Sequence, residues 1–277
     1  MNLTELIELY VTELNNIPSI KSDQTTKGYI SVVRKFYRDN NRIYRMTEGD
    51  IKKYMSHIRK EYSDSYYNVI GSAVKILFEK VLKQPRKMMW FSPIRTTKKF
   101  HNIISYSDFV LMGKSCKNSK HKLILVLLYS TGIRRQELID IKLKDIDFVN
   151  KRIFIHSAKG GKNRFVRLHD IAEKYLLKYL KEYHPSEYLL NGQKSLKYSG
   201  SSVFNVIKDI SDNRYHPHDI RHTFLTNLIE HENVFAAQDY AGHNCLKSTL
   251  HYYHISSDKL REMYNPLDKM ISSKRIA

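Results

Sequence analysis

A basic, proline-containing interruption between residues 83 and 103 constrains the fold of this 277-residue chain more than any other feature. Pro85 and Pro93 break the regular spacing of apolar residues there, and the segment carries six lysines or arginines and no acidic residue. This composition is typical of a linker, although a charged linker can also serve solubility alone. The chain exceeds the usual size of one domain. We therefore expect one domain at residues 1–82 and another at residues 104–277.

Apolar residues in the first domain recur at helical spacing in four blocks, which predicts a bundle of about four helices. Thr47 with Asp50 resembles a capping box, and Thr25 or Thr26 is expected to open the second helix. In the second domain, Ser105 has the pattern of a helix start.

A strongly apolar helical run in the second domain ends at Gly132, so Arg134 is expected at a corner between two helices. Residues 152–156 and 164–168 then alternate as strands do, on either side of a basic, glycine-containing tip. These segments predict one β-hairpin. From Ile171 onward the helical spacing returns.

The chain is strongly basic. Its 47 lysines and arginines outnumber 28 aspartates and glutamates, which gives a formal net charge of +19. A protein that displaces counterions from a polyphosphate is expected to have such a charge. Basicity alone is weak evidence, because ribosomal and membrane-surface proteins share it. Cations on the predicted bundle accordingly suit a DNA-facing surface and ordinary solvated helices equally well.

The two cysteines, Cys116 and Cys245, lack the spacing of a metal site or a disulfide framework, so we expect a reducing compartment. The N-terminal residues have neither the basic start nor the apolar run of a signal peptide. No stretch approaches the roughly 20 apolar residues of a membrane span. The sequence predicts a cytoplasmic protein with no membrane partner.

Five side chains have the chemistry of a phosphodiester-cleaving site. Arg134 and Arg221 can each grip two phosphate oxygens, and His218 and His243 can add hydrogen bonds to a phosphorane. Tyr252 supplies a nucleophile, provided that its phenol, with an ordinary pKa of about 10, loses its proton as it attacks.

These residues lie in motifs that follow one another in a specific order. Residues 131–138 read Thr-Gly-Ile-Arg-Arg-Gln-Glu-Leu, residues 218–222 read His-Asp-Ile-Arg-His, and Gly242-His243 precedes Tyr252. The pattern resembles the tyrosine recombinase (phage integrase) family, in a Xer-like form without an arm-binding domain. The resemblance covers nearly the whole chain and is most specific over residues 101–254.

The resemblance implies a mainly α-helical fold with a small β-hairpin or sheet. An N-terminal helical core-binding bundle, residues 1–82, would be joined by the basic linker 83–103 to a mixed α/β catalytic domain, residues 104–277. The two domains would clamp opposite faces of double-stranded DNA. A homotetramer would act on two duplexes, with a monomer or weak oligomer when free. The C-terminal tail would pack on its own domain or dock onto a neighbouring protomer.

The resemblance also implies covalent chemistry with no cofactor and no metal. Tyr252 would attack the scissile phosphorus, form a 3′-phosphotyrosyl link and release a 5′-hydroxyl. Arg134, Arg221 and His243 would stabilise the transition state. Glu137 is expected to orient Arg134 or to cap its helix.

Two further residues are expected to transfer protons. His218 would act as a general base on the tyrosine or support it, and Lys159 would protonate the leaving 5′-oxygen. Ala158 replaces a glycine of the family's loop, and the nearby Lys162 competes with Lys159 for the role. Arg167 stands where the family usually has a proline, which leaves the end of the strand open.

Several alternatives remain. Tyr253 is the rival nucleophile. His216, His218 and His222 could ligate a metal, but the set lacks the acidic third ligand that accompanies an i, i+4 histidine pair in zinc sites. We expect His222 to be buried and hydrogen-bonded, and Asp219 to orient its motif. The expected function is a site-specific DNA recombinase or integrase; a catalytically silent DNA-binding protein and a topoisomerase IB-like nicking and resealing enzyme are the competing hypotheses.

Overall fold

The structure, a computed structural model, describes residues 2–20, 23–40, 42–96, 102–156, 162–193 and 195–242. The chain divides into two compact units, Met1–Lys99 and Phe100–Ala277. Each unit has its own hydrophobic core. Within the described residues, no helix combines the length and the apolar character needed to cross a membrane.

The first unit contains the predicted bundle of four α-helices. They are α1 (Leu3–Asn15), α2 (Asp23–Asp39), α3 (Glu48–Glu61) and α4 (Asp64–Ile76), and a π-helical turn (Leu77–Val81) continues α4. One apolar face of each helix supplies the core, and Tyr10 donates a buried hydrogen bond of 2.9 Å to the carbonyl of Ala73.

Of the helix starts predicted in the first unit, one agrees with the structure and another does not. The backbone N–H of Asp50 donates to Thr47 Oγ1, and the backbone N–H of Thr47 donates to Asp50 Oδ2, as the predicted capping box requires. The second helix begins at Asp23, earlier than the predicted Thr25 or Thr26. Asp23 lies in the first turn, where its negative charge interacts favourably with the positive end of the helix dipole. Its carboxylate also pairs with Lys27 at 3.3 Å.

Part of the segment predicted as a linker packs on the first unit. Met88 and Phe91 are buried in its core, and a Cβ built on Gly71 would lie 2.1 Å from the Phe91 ring. Asn68 accepts a hydrogen bond from the backbone N–H of Ile94 and donates one to its carbonyl, both at 2.8 Å. The prolines and cations of this segment end the helical periodicity, but its apolar side chains still bury area against the bundle.

The second unit combines helices with a small antiparallel sheet. Its elements are α5 (Tyr106–Ser115), α6 (Ser119–Thr131), α7 (Arg135–Asp140), β1 (Ile146–Asp147), β2 (Arg152–Ile155), β3 (Arg164–Arg167), α8 (Asp170–Tyr183), α9 (Gly200–Ile210), α10 (Pro217–His231) and α11 (Val234–Ala241). The helix α6 is apolar around much of its circumference, so it forms the centre of the core and contacts α8, α9 and α10.

The predicted hairpin is present as β2 and β3, which pair antiparallel with Ile153 opposite Val166. The sequence did not predict β1, a two-residue strand that pairs with β2 and completes a sheet of order β1-β2-β3. So short a strand carries no recognisable alternation. The strand β3 ends at Arg167, the residue that left the end of this strand open in the sequence.

Candidate active site

The corner that holds Arg134 forms because α6 stops at a glycine. Gly132 has a φ of +57°, a left-handed conformation, and a Cβ there would lie 2.2 Å from the ring of Phe224. Arg134 follows as the N-cap residue of α7. Its side chain is 41% exposed, so it is partly accessible from solvent.

Glu137 fixes Arg134 in both of the ways that the sequence left open. One carboxylate oxygen accepts from the backbone N–H of Arg134 at 2.8 Å, which caps α7, and the other accepts from Arg134 Nη1 at 2.8 Å. Burial alone would raise the pKa of Glu137. The hydrogen bonds from Arg164 and Arg134 outweigh this effect and lower the pKa to about 2, so the carboxylate is ionised at neutral pH.

Arg221 lies on α10 and is 3% exposed. Its Nη1 donates to the carbonyl of Gly132 at 2.6 Å and its Nη2 donates to the carbonyl of Ala241 at 3.2 Å. Arg134 Nη1 donates to the same Ala241 carbonyl at 3.4 Å. The two predicted phosphate-binding arginines, 87 residues apart in sequence (221 − 134), therefore converge on one carbonyl oxygen at the end of α11.

The first turn of α10 carries the histidines of the second motif. Pro217 opens the helix, Asp219 Oδ2 accepts from the backbone N–H of His216 at 2.8 Å, and His218 is exposed. His222 is buried, with Nδ1 3.3 Å from Thr226 Oγ1, which confirms the interpretation of a buried, hydrogen-bonded histidine. Across the described part of the chain, no three metal-ligating side chains lie close enough together to hold a metal ion.

Three predicted site residues, Lys159, His243 and Tyr252, lie outside the described residues, as does the rival Tyr253. The structure does describe what flanks the first two. Lys159 belongs to the segment that joins β2 to β3, and His243 follows Gly242, which ends α11 with a φ of +64°.

Lys162, which precedes β3, and Arg167, which ends it, have different surroundings. Lys162 is exposed beside β3. The backbone N–H of Arg167 donates to the hydroxyl of Tyr240 at 3.2 Å. A proline at this position has no N–H to donate, so the departure from the family's usual residue provides a hydrogen bond between β3 and α11.

Sequence reasoning missed Arg164, a buried cation of the site that donates three hydrogen bonds. It donates two hydrogen bonds to Glu137, at 3.1 and 2.9 Å, and a third from Nε to the carbonyl of Tyr240 at 2.6 Å. Its side chain is 8% exposed. The alternation of β3 contained the signal, because Arg164 and the buried Val166 share one face of the strand while Phe165 and Arg167 lie on the other.

A family model described as the phage integrase family matches residues 96–259, and a model of the phage integrase N-terminal SAM-like domain matches residues 7–87. The chain belongs to the phage integrase family. The predicted family and the predicted, mainly helical fold class with a small sheet are confirmed.

The chain is also similar to individual proteins and solved structures. Tyrosine recombinase XerC of Staphylococcus epidermidis is 35% identical over 159 residues, which cover 53% of this chain and 53% of that protein, so the chain spans about half the length of such relatives. Tyrosine recombinase XerA of Pyrococcus horikoshii is 27% identical over 259 residues, 87% of each chain. A lambda integrase dimer bound to a COC′ core site has a TM-score of 0.72 at 14% identity, covering 96% of this chain and 79% of that one, and thus shares the fold.

Proposed function

We propose that this member of the phage integrase family is a site-specific DNA recombinase that cleaves and rejoins DNA through a 3′-phosphotyrosyl intermediate. The convergence of Arg134 and Arg221 on the carbonyl of Ala241 is the observation that carries the proposal. It brings two guanidinium groups, each able to grip phosphate oxygens, to the backbone that leads directly into His243. All six proposed site residues lie within the matched segment 96–259.

In the proposed reaction, the phenolic oxygen of Tyr252 attacks the scissile phosphorus while its proton passes to a base, for which His218 is the candidate. The bond from phosphorus to the 5′-oxygen breaks, and Lys159 gives that oxygen a proton. Arg134, Arg221 and His243 stabilise the added negative charge of the phosphorane. The phosphotyrosyl bond conserves the phosphodiester energy, so a second 5′-hydroxyl can reverse the step on another strand.

Double-stranded DNA is the proposed partner, and one helix of the first unit has a surface suited to its backbone. Five exposed polar residues lie on a single face of α2, and four of them are cations: Lys27, Ser31, Arg34, Lys35 and Arg38. We call this set the α2 cation stripe. Each lysine or arginine that neutralises a phosphate releases counterions, which favours binding at low salt.

Strand exchange between two duplexes requires cleavage of four strands, and one tyrosine per protomer cleaves one strand. We therefore propose a homotetramer on two duplexes as the active assembly, formed from monomers or weak oligomers on DNA. We propose the predicted boundaries, residues 82 and 104, as the end of the DNA-binding helical bundle and the start of the catalytic domain. Between them, Met88 and Phe91 pack on the first unit, and the basic residues are proposed to lie along the DNA.

A nicked suicide duplex tests the proposal, because loss of a short 5′-hydroxyl fragment traps the covalent protein–DNA adduct. We expect an adduct on a specific site with the natural chain and none with Tyr252→Phe, which removes only the phenolic oxygen. Tyr253→Phe is the matched control and should retain the adduct. An adduct lost in Tyr253→Phe and kept in Tyr252→Phe would transfer the role to Tyr253.

The same assay separates the competing functions. A silent DNA-binding protein forms no adduct, and a topoisomerase-like enzyme forms one on DNA without a defined site. Cleavage should persist in EDTA, because side chains alone are proposed to stabilise the phosphorane; a strict divalent-metal requirement would contradict this mechanism.

A further inference from the structure

Arg164 connects parts of the site that are far apart in sequence. It begins β3, five residues after Lys159, and its guanidinium fills the space between α7 and α11. Two nitrogens grip Glu137, and Nε donates to the carbonyl of Tyr240. A Cβ built on Gly242 would lie 3.2 Å from Arg164 Nη1, so the backbone just before His243 passes close to this guanidinium.

The partner Glu137 is shared between two arginines. The same two carboxylate oxygens that accept from Arg164 also accept from the backbone N–H and Nη1 of Arg134. Any displacement of Glu137 therefore displaces Arg134. Arg164 itself is buried, and nothing in the proposed chemistry requires it to touch the phosphate.

We propose that Arg164 is a positioning residue for DNA cleavage. Through Glu137 it fixes the guanidinium of Arg134, and through the Tyr240 carbonyl it fixes the end of α11 from which His243 follows. The inference rests on the proposed recombinase function. The geometry explains why arginine is required: its planar fork reaches three acceptors at once, whereas a lysine ammonium is a single point charge.

The test compares Arg164→Lys with Arg152→Lys in single-turnover cleavage of the suicide duplex. Arg164→Lys keeps the charge that balances Glu137 but loses the three-point geometry, so cleavage should slow about 10- to 100-fold, as displacements of the order of 1 Å do. Duplex affinity should be nearly unchanged. Arg152 lies on the adjacent strand, half-exposed, and pairs with Asp147, so Arg152→Lys should cleave within about twofold of the natural chain.

A second substrate separates positioning from general loss of structure. A methylphosphonate at the scissile position replaces one non-bridging oxygen by a methyl group and removes the negative charge that Arg134 would neutralise. If Arg164 acts through Arg134, the defect of Arg164→Lys should shrink at least several-fold on this neutral substrate. A damaged fold would slow cleavage of both substrates equally. Glu137→Gln should show the same selective relief.

Each result decides the inference. Arg164→Lys that cleaves as fast as the natural chain, slows equally on both substrates, or is unfolded at the assay temperature overturns a positioning role. Failure of the natural chain to form any adduct would instead overturn the proposed function. A natural chain that forms the adduct beside an unimpaired Arg164→Lys would leave the function standing and remove only the role of Arg164.

Discussion

The cations of the α2 stripe and the arginines of the candidate active site have the same charge in opposite surroundings. On α2, Arg34 and Arg38 are exposed, and Lys35 donates to the hydroxyl of Tyr62 at 3.0 Å. In the second unit, Arg164 and Arg221 are buried, and their guanidinium groups are held by carbonyls and a carboxylate. Exposed cations attract a polyanion but leave its position undefined, whereas buried and bonded ones fix geometry.

This difference predicts two kinds of sensitivity. Each exposed cation should contribute a small, nearly additive and strongly salt-dependent amount to the affinity for DNA, because water and ions screen its charge. The bonded arginines should make large, non-additive and nearly salt-independent contributions to the rate of cleavage, because each shares a hydrogen-bond acceptor with another arginine. The following predictions test that contrast.

The largest effect is expected for Arg221→Lys. A lysine cannot donate to the Gly132 and Ala241 carbonyls and face a phosphate in the same planar arrangement, so single-turnover cleavage should fall about 10²- to 10³-fold, as for loss of one preorganised donor. Duplex affinity and its salt dependence should remain near those of the natural chain. A defect confined to affinity would place Arg221 with the exposed cations.

Lys159→Ala tests whether Lys159 acts as a general acid or only contacts phosphate. As the general acid, Lys159 should be worth about 10²-fold in cleavage, and replacing the bridging 5′-oxygen by sulfur should largely rescue the variant, because a thiolate leaves without a proton. The exposed Lys162 is the matched control, and Lys162→Ala should weaken binding modestly without rescue. Equal defects of Lys159→Ala on both substrates would remove the general-acid role.

The buried carboxylate gives a pH prediction. Because the pKa of folded Glu137 is lowered to about 2, its stabilising contribution is complete above the unfolded pKa of about 4.3 and is lost as pH falls towards 2. The difference in free energy of unfolding between the natural chain and Glu137→Gln should be constant from about pH 8 to pH 5 and shrink below about pH 4. Chemical denaturation at several pH values measures it; a difference that shrinks between pH 8 and 6 would implicate another group.

The smallest effect per residue is expected on α2. Arg34→Ala and Arg38→Ala should each weaken duplex binding several-fold at low salt, reduce the slope of log affinity against log salt by about one, and leave cleavage of bound DNA unchanged. Lys52→Ala is the control, since Lys52 is exposed on α3 but already paired with Glu48. If the Lys52 variant changed the salt slope as much as the other two, the α2 cation stripe would have no special role.

Local patterns predicted the elements that local interactions form. The capping box of Thr47, the helix stop at Gly132 and the hairpin of β2 and β3 each depend on residues close together in sequence, and the structure contains all three. The two-residue strand β1 and the packing of Met88 on the first unit were not predictable in this way, because they depend on partners elsewhere in the chain.

The sequence alone predicted the groups proposed to act on DNA, since the order of Arg134, His218 and Arg221 within their motifs requires no coordinates, but it did not reveal Arg164. Only the tertiary structure decided how those groups are held. The contacts from Arg134 to Ala241 and from Arg164 to Tyr240 span 107 and 76 residues, and no spacing rule reaches that far. A buried guanidinium must find acceptors wherever the fold brings them, so its partners follow from packing rather than from sequence.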